Sequence, residues 1–547
     1  MSTKRIKNLI FILLGLSTLL LGACSKENSA PGSKPVTFNL GKTPRSLDPQ
    51  LATSAAANKI DNMIMEGFVI QGPESGRLLP AGAESWDISK DGKVWTFHLR
   101  KDAEWSNGDK ITSKDYFFGL KRSLEPATAA PAAYMLYSIL NAEDYNQSKI
   151  KDYSKVGIKV IDDYTIQITL ANETPYFLQL MTQGMAFPLN EKFYNKVGSQ
   201  YALEPDKMLF NGAYIIKEYV PNGKVVFNKN LQYWNKKNIK INDITYLMVN
   251  NPNTAANMFQ SGQLDVTEIS GPQIVEFKNN KDLRTVFSGR VMYLEFNVTN
   301  KFFSNVNIRR AIALGIDREA MCKNIMKDGS TPAYAFVPPK LYGGTVDGKL
   351  ISFRKRFGAD AFKPNIQEAQ RLFKKGLKEI GYNEKVDGKP EVKLLCETRP
   401  EQMRQSQFIQ QQLFKNFGLN VVLEPNTYEA FIGKKSQKDF EFVYTSWGPN
   451  YNYPTTFLNI WVTGGGNNNS NWSNAEYDKL VKAGENNENS NNRMNAMNKA
   501  EILLMKEMPI VPIYYDYKNW LIKSWLKNVV LRFSGTEIGF QWAYIKK

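Results

Sequence analysis

Histidine is all but missing: His98 is the single one in 547 residues. That excludes the usual His-rich zinc sites and argues against Ser-His or Cys-His nucleophilic chemistry. His98 lies in Trp95-Thr96-Phe97-His98-Leu99, an alternating stretch that reads as a sheet-face position. Cysteine is scarce as well, with three in the chain. Cys322 falls in a helical pattern and Cys396 in an apolar strand pattern; buried free thiols are the simpler expectation, while a disulfide stays open in an oxidising compartment. Phosphate-cradling Gly-rich loops, a Gly-x-Ser-x-Gly elbow and a His-Glu-x-x-His helix are absent. Asp162-Asp163, and Asp439 with Glu441, are neighbours in turns or strands rather than a carboxylate pair across a cleft. No cofactor, metal or catalytic residue is expected. Long apolar runs are lacking too. The stretch from Leu9 to Ala23 is shorter than the ~20 residues that span a bilayer, and Ser25, Lys26 and Glu27 follow it at once.

That short run is informative in its setting. Lys4, Arg5 and Lys7 precede it, and Leu21-Gly22-Ala23-Cys24 closes it. A basic head, a short apolar segment and a small-residue cleavage site read as a secretory signal. Cysteine directly after Leu-Gly-Ala resembles the lipobox of bacterial lipoproteins, which implies cleavage before Cys24 and a diacylglycerol anchor on its sulfur. The expected location is the extracytoplasmic side of a cell membrane, either in a periplasm or on the outer face. Residues 25–35 are rich in Ser, Gly, Pro, Asn and Lys and read as a flexible tether.

Removing residues 1–23 leaves far more than the ~250–300 residues at which one core stops growing, so several domains are expected. The net charge is +17, but the lysines are scattered and form no stripe. A solvated surface facing anionic lipid or cell wall fits this pattern, and nucleic acid is not expected as a partner.

Local patterns are clear in places. Val156 to Leu170 reads as a hairpin turning at Asp162-Asp163, and Tyr214 to Asn228 as another turning at Asn222-Gly223. Thr112 with Asp115 can cap a helix carrying Phe117, Leu120 and Leu124. Asn307 to Gly315, Asn365 to Ile380 and Gln402 to Phe417 have helical periodicity. Gly464 to Asn471 is a loop. The mixture is α/β or α+β.

Aromatic residues make up 12% of the chain and gather late, at Tyr444, Trp447, Tyr451, Tyr453, Phe457 and Trp461. Ser446-Trp447-Gly448-Pro449-Asn450-Tyr451-Asn452-Tyr453-Pro454 joins a strand, Phe440 to Thr445, to a helix-like segment. A loop of this composition at a strand end suits a ligand site; a tyrosine-rich core corner explains it equally well.

A chain-long set of short motifs decides the matter. Arg45-Ser46-Leu47-Asp48-Pro49, Ala83-Glu84-Ser85-Trp86, Asp91-Gly92, Trp95 to Arg100, Trp105-Ser106-Asn107-Gly108, Asn211-Gly212-Ala213-Tyr214, Asn230 with Tyr233-Trp234, Phe296-Asn297, Arg309-Arg310-Ala311, Ile316-Asp317-Arg318, Pro332-Ala333-Tyr334 and Val337-Pro338-Pro339 follow one another in order. Together they resemble the oligopeptide-binding proteins of ABC importers, family 5 of the extracellular solute-binding proteins.

The resemblance implies an α/β, two-lobed class II periplasmic-binding-protein-like fold with a third subdomain in the N-terminal half. After the signal peptide (1–23) and tether (24–35), the first lobe is expected from 36–69, 190–285 and 510–547. The additional subdomain is expected at 70–189 and the second lobe at 286–509. It implies an oligopeptide ligand held through its main chain, ABC permease and ATPase subunits as partners, and a monomer that performs no chemistry. A signal peptide or a nickel or haem complex as ligand is the alternative among binding proteins, and an extracytoplasmic hydrolase the alternative outside them. By the same resemblance the peptide-binding residues are Tyr134, Tyr428, Tyr444, Ser446, Trp447, Gly448 and Asn450. Asn450 departs from the family, which usually carries an aspartate there to accept the peptide's α-ammonium. Either another acid, such as Glu268, compensates, or the ligand's amine is blocked or not needed.

Overall fold

Two long strands run through the middle of the molecule. In this computed structural model, which describes residues 35–546 apart from 53, 75–76, 347–348, 359–361 and 487–488, Leu283–Phe296 and Ile510–Ile522 lie side by side and antiparallel. The expected signal peptide, Cys24 and all but the last residue of the tether fall outside the described residues. Leu283 pairs with Leu521 at one end and Glu295 with Ile510 at the other, and the register slips between Phe287 and Val291. Gly289 occupies the slip with φ +78°, a conformation open to glycine and strained for other residues.

The slip divides one mixed sheet of eleven strands into two halves. On one side Val266–Ile269 pairs with the end of Ile510–Ile522 and continues through Val36–Asn39, Asp243–Leu247, Lys224–Lys229 and Tyr214–Val220. On the other, Phe442–Trp447 pairs with Val291 to Phe296, and Glu391–Glu397 and Asn420–Asn426 follow. The two large buried clusters divide in the same way. One cluster runs from Val36 to Met248 and takes in Trp520, Ile522 and Phe540. The other runs from Phe287 to Tyr515. Two cores joined by two strands give two lobes, the layout on which hinge closures are built.

The N-terminal half also carries a four-stranded antiparallel sheet, Ala83–Ile88, Val94–Leu99, Thr165–Thr169 and Ile158–Asp162. Its inward residues Trp95, Phe97, Ile166 and Ile168 belong to the same buried cluster as Val36 and Phe38. The third subdomain therefore extends the first lobe's core rather than forming a separate one. Helix Ser113–Leu124 packs with it, and Thr112 N donates to Asp115 Oδ2 at 2.8 Å, as the capping pattern predicts. Both expected hairpins form, with Asn222 at φ +60° in the second turn. The three periodic helices run Val306–Gly315, Ile366–Glu379 and Pro400–Phe417. Cys322 and Cys396 are buried and free. His98 sits on its strand beside Asp87, at 2.8 Å. No helix among the described residues is long and apolar enough to cross a membrane.

Candidate functional site

Strand Phe442–Trp447 reaches further than the sequence suggests. Its antiparallel register with Leu283–Phe296 includes Ser446 opposite Met292 and Trp447 opposite Val291, so Trp447 is the last strand residue and the loop begins at Gly448. On the strand's other side the parallel register with Glu391–Glu397 covers Phe442 and Val443. From Tyr444 to Trp447 that edge has no strand partner among the described residues. An unpaired edge exposes N–H and C=O groups at strand spacing.

The loop is pinned onto the helical turn that follows it. Trp447 Nε1 donates to the Thr456 carbonyl at 2.7 Å, and Asn450 N donates to Thr456 Oγ1 at 3.1 Å. Tyr451 stacks on Tyr176 with ring centroids 4.0 Å apart and planes within 3°. Tyr176 comes from the N-terminal half, and further contacts join the halves here. Asn452 N donates to Gln179 Oε1 at 2.6 Å, and Arg493 pairs with Glu173 at 2.8 Å.

Between these segments lies a cavity of about 410 Å³, within the range of small-ligand sites. One wall is the turn Tyr134 to Ser138 with Ala171 to Thr174 and Tyr176; the other is Trp447, Asn450, Tyr451, Thr455, Thr456, Asn459 and Glu485. Burial raises the Tyr134 phenol, and a hydrogen bond with the Asn450 side chain works the other way. The Tyr451 phenol is pushed up by burial, against hydrogen bonding to Thr455. Burial also raises the Glu485 carboxyl, and a hydrogen bond from Asn459 lowers it in part. No group of three or more His, Cys, Asp or Glu among the described residues is placed to hold a metal ion.

The fold brings Tyr134, Trp447 and Asn450 together in this cavity. Ser446 and Gly448 flank Trp447 but lie against Arg290: Arg290 Nη1 donates to Ser446 Oγ at 2.9 Å, and a Cβ at Gly448 would stand 3.6 Å from Nη2. Tyr444 lies in the second core, its hydroxyl donating to Gln405 Oε1 at 2.9 Å. Tyr428 opens the helix Tyr428–Ser436 and is 52% exposed, away from the cavity. Glu268 is not in the cavity wall either. It faces Lys518 Nζ at 3.4 Å, and Lys518 also holds Glu537 at 2.7 Å, which pairs in turn with Lys59. The late aromatic cluster thus divides, with Trp447 and Tyr451 lining the cavity and Tyr444, Phe457 and Trp461 in the core. The sequence reading missed Glu173, Tyr176, Asn459 and Glu485. Nothing local marks them: Glu173 and Tyr176 gain their roles by meeting Arg493 and Tyr451 across the two halves, and Asn459 and Glu485 by meeting each other in the cavity wall.

The molecule matches known proteins along its length. Residues 77–469 fit the family described as bacterial extracellular solute-binding proteins, family 5 middle. The dipeptide-binding protein DppE of Bacillus subtilis is 34% identical over 99% of this chain and 99% of its own. The oligopeptide-binding protein OppA of the same organism is 31% identical over 98% and 99%. The structure of Listeria monocytogenes OppA bound to peptide superposes with a TM-score of 0.79 at 34% identity, covering 94% of this chain and all of that one.

Proposed function

The chain belongs to the bacterial extracellular solute-binding proteins of family 5, and from this we propose that it captures oligopeptides outside the cytoplasm and delivers them to an ABC permease. The two Bacillus subtilis relatives are named for dipeptide and oligopeptide binding. The observation that carries the reading is the cavity placed where the unpaired edge of Phe442–Trp447 ends, between the two halves. A peptide laid on that edge pairs through its own N–H and C=O groups, which every peptide has, so this share of the affinity is common to all sequences. Trp447 and Tyr134 provide apolar surface with polar tips beside the backbone, and the lobes close over the ligand about the two crossing strands. Nothing is cleaved; hydrolysis of ATP belongs to other subunits. The protein works as a monomer tethered through lipid on Cys24.

Incubation of the purified protein with a mixture of peptides, followed by mass spectrometry of what stays bound, tests this reading. Intact peptides are expected to be retained. Cleaved products would turn the assignment to a hydrolase, and retention of a metal or haem complex alone would turn it to another ligand class.

A further inference from the structure

The charges lining the cavity are one-sided. Among the described residues no Lys, Arg or His lines it, while Glu173 and Glu485 both do. Glu173 is matched by Arg493. Glu485 has no ion pair among the described residues; its neighbour is the neutral amide of Asn459, which donates to Oε1. Glu485 lines the same cavity as Tyr176 and Tyr451, the stacked pair of its wall. Next to it Asn459 Oδ1 is buried with no hydrogen-bond partner among the described residues, and so is Ser138 Oγ on the facing wall. An unmatched carboxylate and an orphaned acceptor in one wall call for a group that donates and carries positive charge. An ammonium has three donors and no acceptor, and bonds to an ionised partner are about twice as strong as neutral ones.

We infer that Glu485 is the counter-charge for an ammonium group of the bound peptide, with Asn459 Oδ1 as a second acceptor. This rests on the peptide-binding reading above. It gives a place to the charge that Asn450 lacks, and it sets aside Glu268, which Lys518 engages. The ammonium comes from the peptide's N-terminus or from a lysine side chain, and the same chemistry serves both.

Calorimetry with three peptides separates the two sources: Ala-Ala-Ala, N-acetyl-Ala-Ala-Ala and N-acetyl-Ala-Lys-Ala. In the wild type, at least one ammonium-bearing peptide should bind tenfold or more tighter than N-acetyl-Ala-Ala-Ala. The free tripeptide leading points to the α-ammonium, and the lysine peptide leading points to the side chain. Glu485→Gln should remove that preference while still accepting the Asn459 hydrogen bond, and Glu268→Gln should keep it. Equal binding of all three by the wild type would overturn the inference and leave peptide capture standing, whereas failure of all three to bind would count against peptide capture itself. Survival of the preference in Glu485→Gln, or its loss in Glu268→Gln, would also overturn the inference; the wild-type comparison alone decides if Glu485→Gln does not fold.

Discussion

At the scale of single residues, much of the motif chemistry turns out to hold the molecule together. Asp48, from Ser-Leu-Asp-Pro, receives both terminal nitrogens of Arg122, at 2.9 and 2.6 Å. Glu66 is 3% exposed and accepts from Trp234 Nε1 at 2.7 Å and from the Tyr233 hydroxyl, two aromatics of the hairpin motif. Burial outweighs those bonds and holds the Glu66 carboxyl up at about 7. Below about pH 4.5 the carboxyl is protonated in both folded and unfolded chains and contributes nothing. As pH rises towards 7 the unfolded chain ionises before the folded one does, so folding loses stability, by ~3 kcal/mol in full. Glu66→Gln should remove this slope. Its stability relative to wild type, from urea unfolding, should climb by about that amount between pH 4.5 and 7.5. A flat difference would show that Glu66 is not held protonated in the fold.

At the scale of elements, the crossing strands carry the most consequence. Gly289 lies in the register slip at φ +78°. A Cβ there would meet the Phe533 carbonyl at 2.3 Å and Pro449 Cγ at 2.8 Å. Pro449 belongs to the loop that carries Asn450, so the slip and the ligand loop are packed against one another. Gly289→Ala should lower stability by roughly 1–2 kcal/mol from the left-handed backbone alone, and displacement of the loop should weaken peptide binding as well. Thermal unfolding and calorimetry read the two effects separately. Unchanged melting together with unchanged affinity would show that the slip has room for a side chain.

At the scale of the whole molecule, the two halves meet through contacts around the cavity. Glu173–Arg493, Gln179–Asn452 and the Tyr176–Tyr451 stack are among them, and a surface pair, Arg45–Glu429 at 3.7 Å, lies apart from them. Such an interface is set by a small free-energy difference that a ligand touching both lobes can shift. Saturating peptide should reduce the radius of gyration in small-angle scattering and change Trp447 fluorescence, because its ring lines the closing cavity. A radius that stays fixed with peptide bound would rule out closure. The tether gives a further expectation. Cys24→Ala should leave the protein as unprocessed precursor or release it from the membrane fraction; mature, acylated protein in the membrane fraction of that variant would refute lipidation at this residue.

The sequence by itself determined the local pieces and the family. Hairpins at Asp162-Asp163 and Asn222-Gly223, the Thr112–Asp115 cap and the three periodic helices are legible because their causes lie within a few residues of each other. Trp447, Asn450 and Tyr134 were legible through motif resemblance, and Trp447 and Asn450 also through loop composition. Tertiary structure decided the rest. It carried the strand on to Trp447, drew Glu268 to Lys518, buried Tyr444 and left Tyr428 at the surface. It also set Glu485 and Asn459 across from Ser138 and Tyr176. The physical reason is sequence distance: the cavity's walls are hundreds of residues apart in the chain. They meet only once two strands cross between two cores, and no local pattern of charge or hydrophobicity records which carboxylate will then find a cation and which will be left without one.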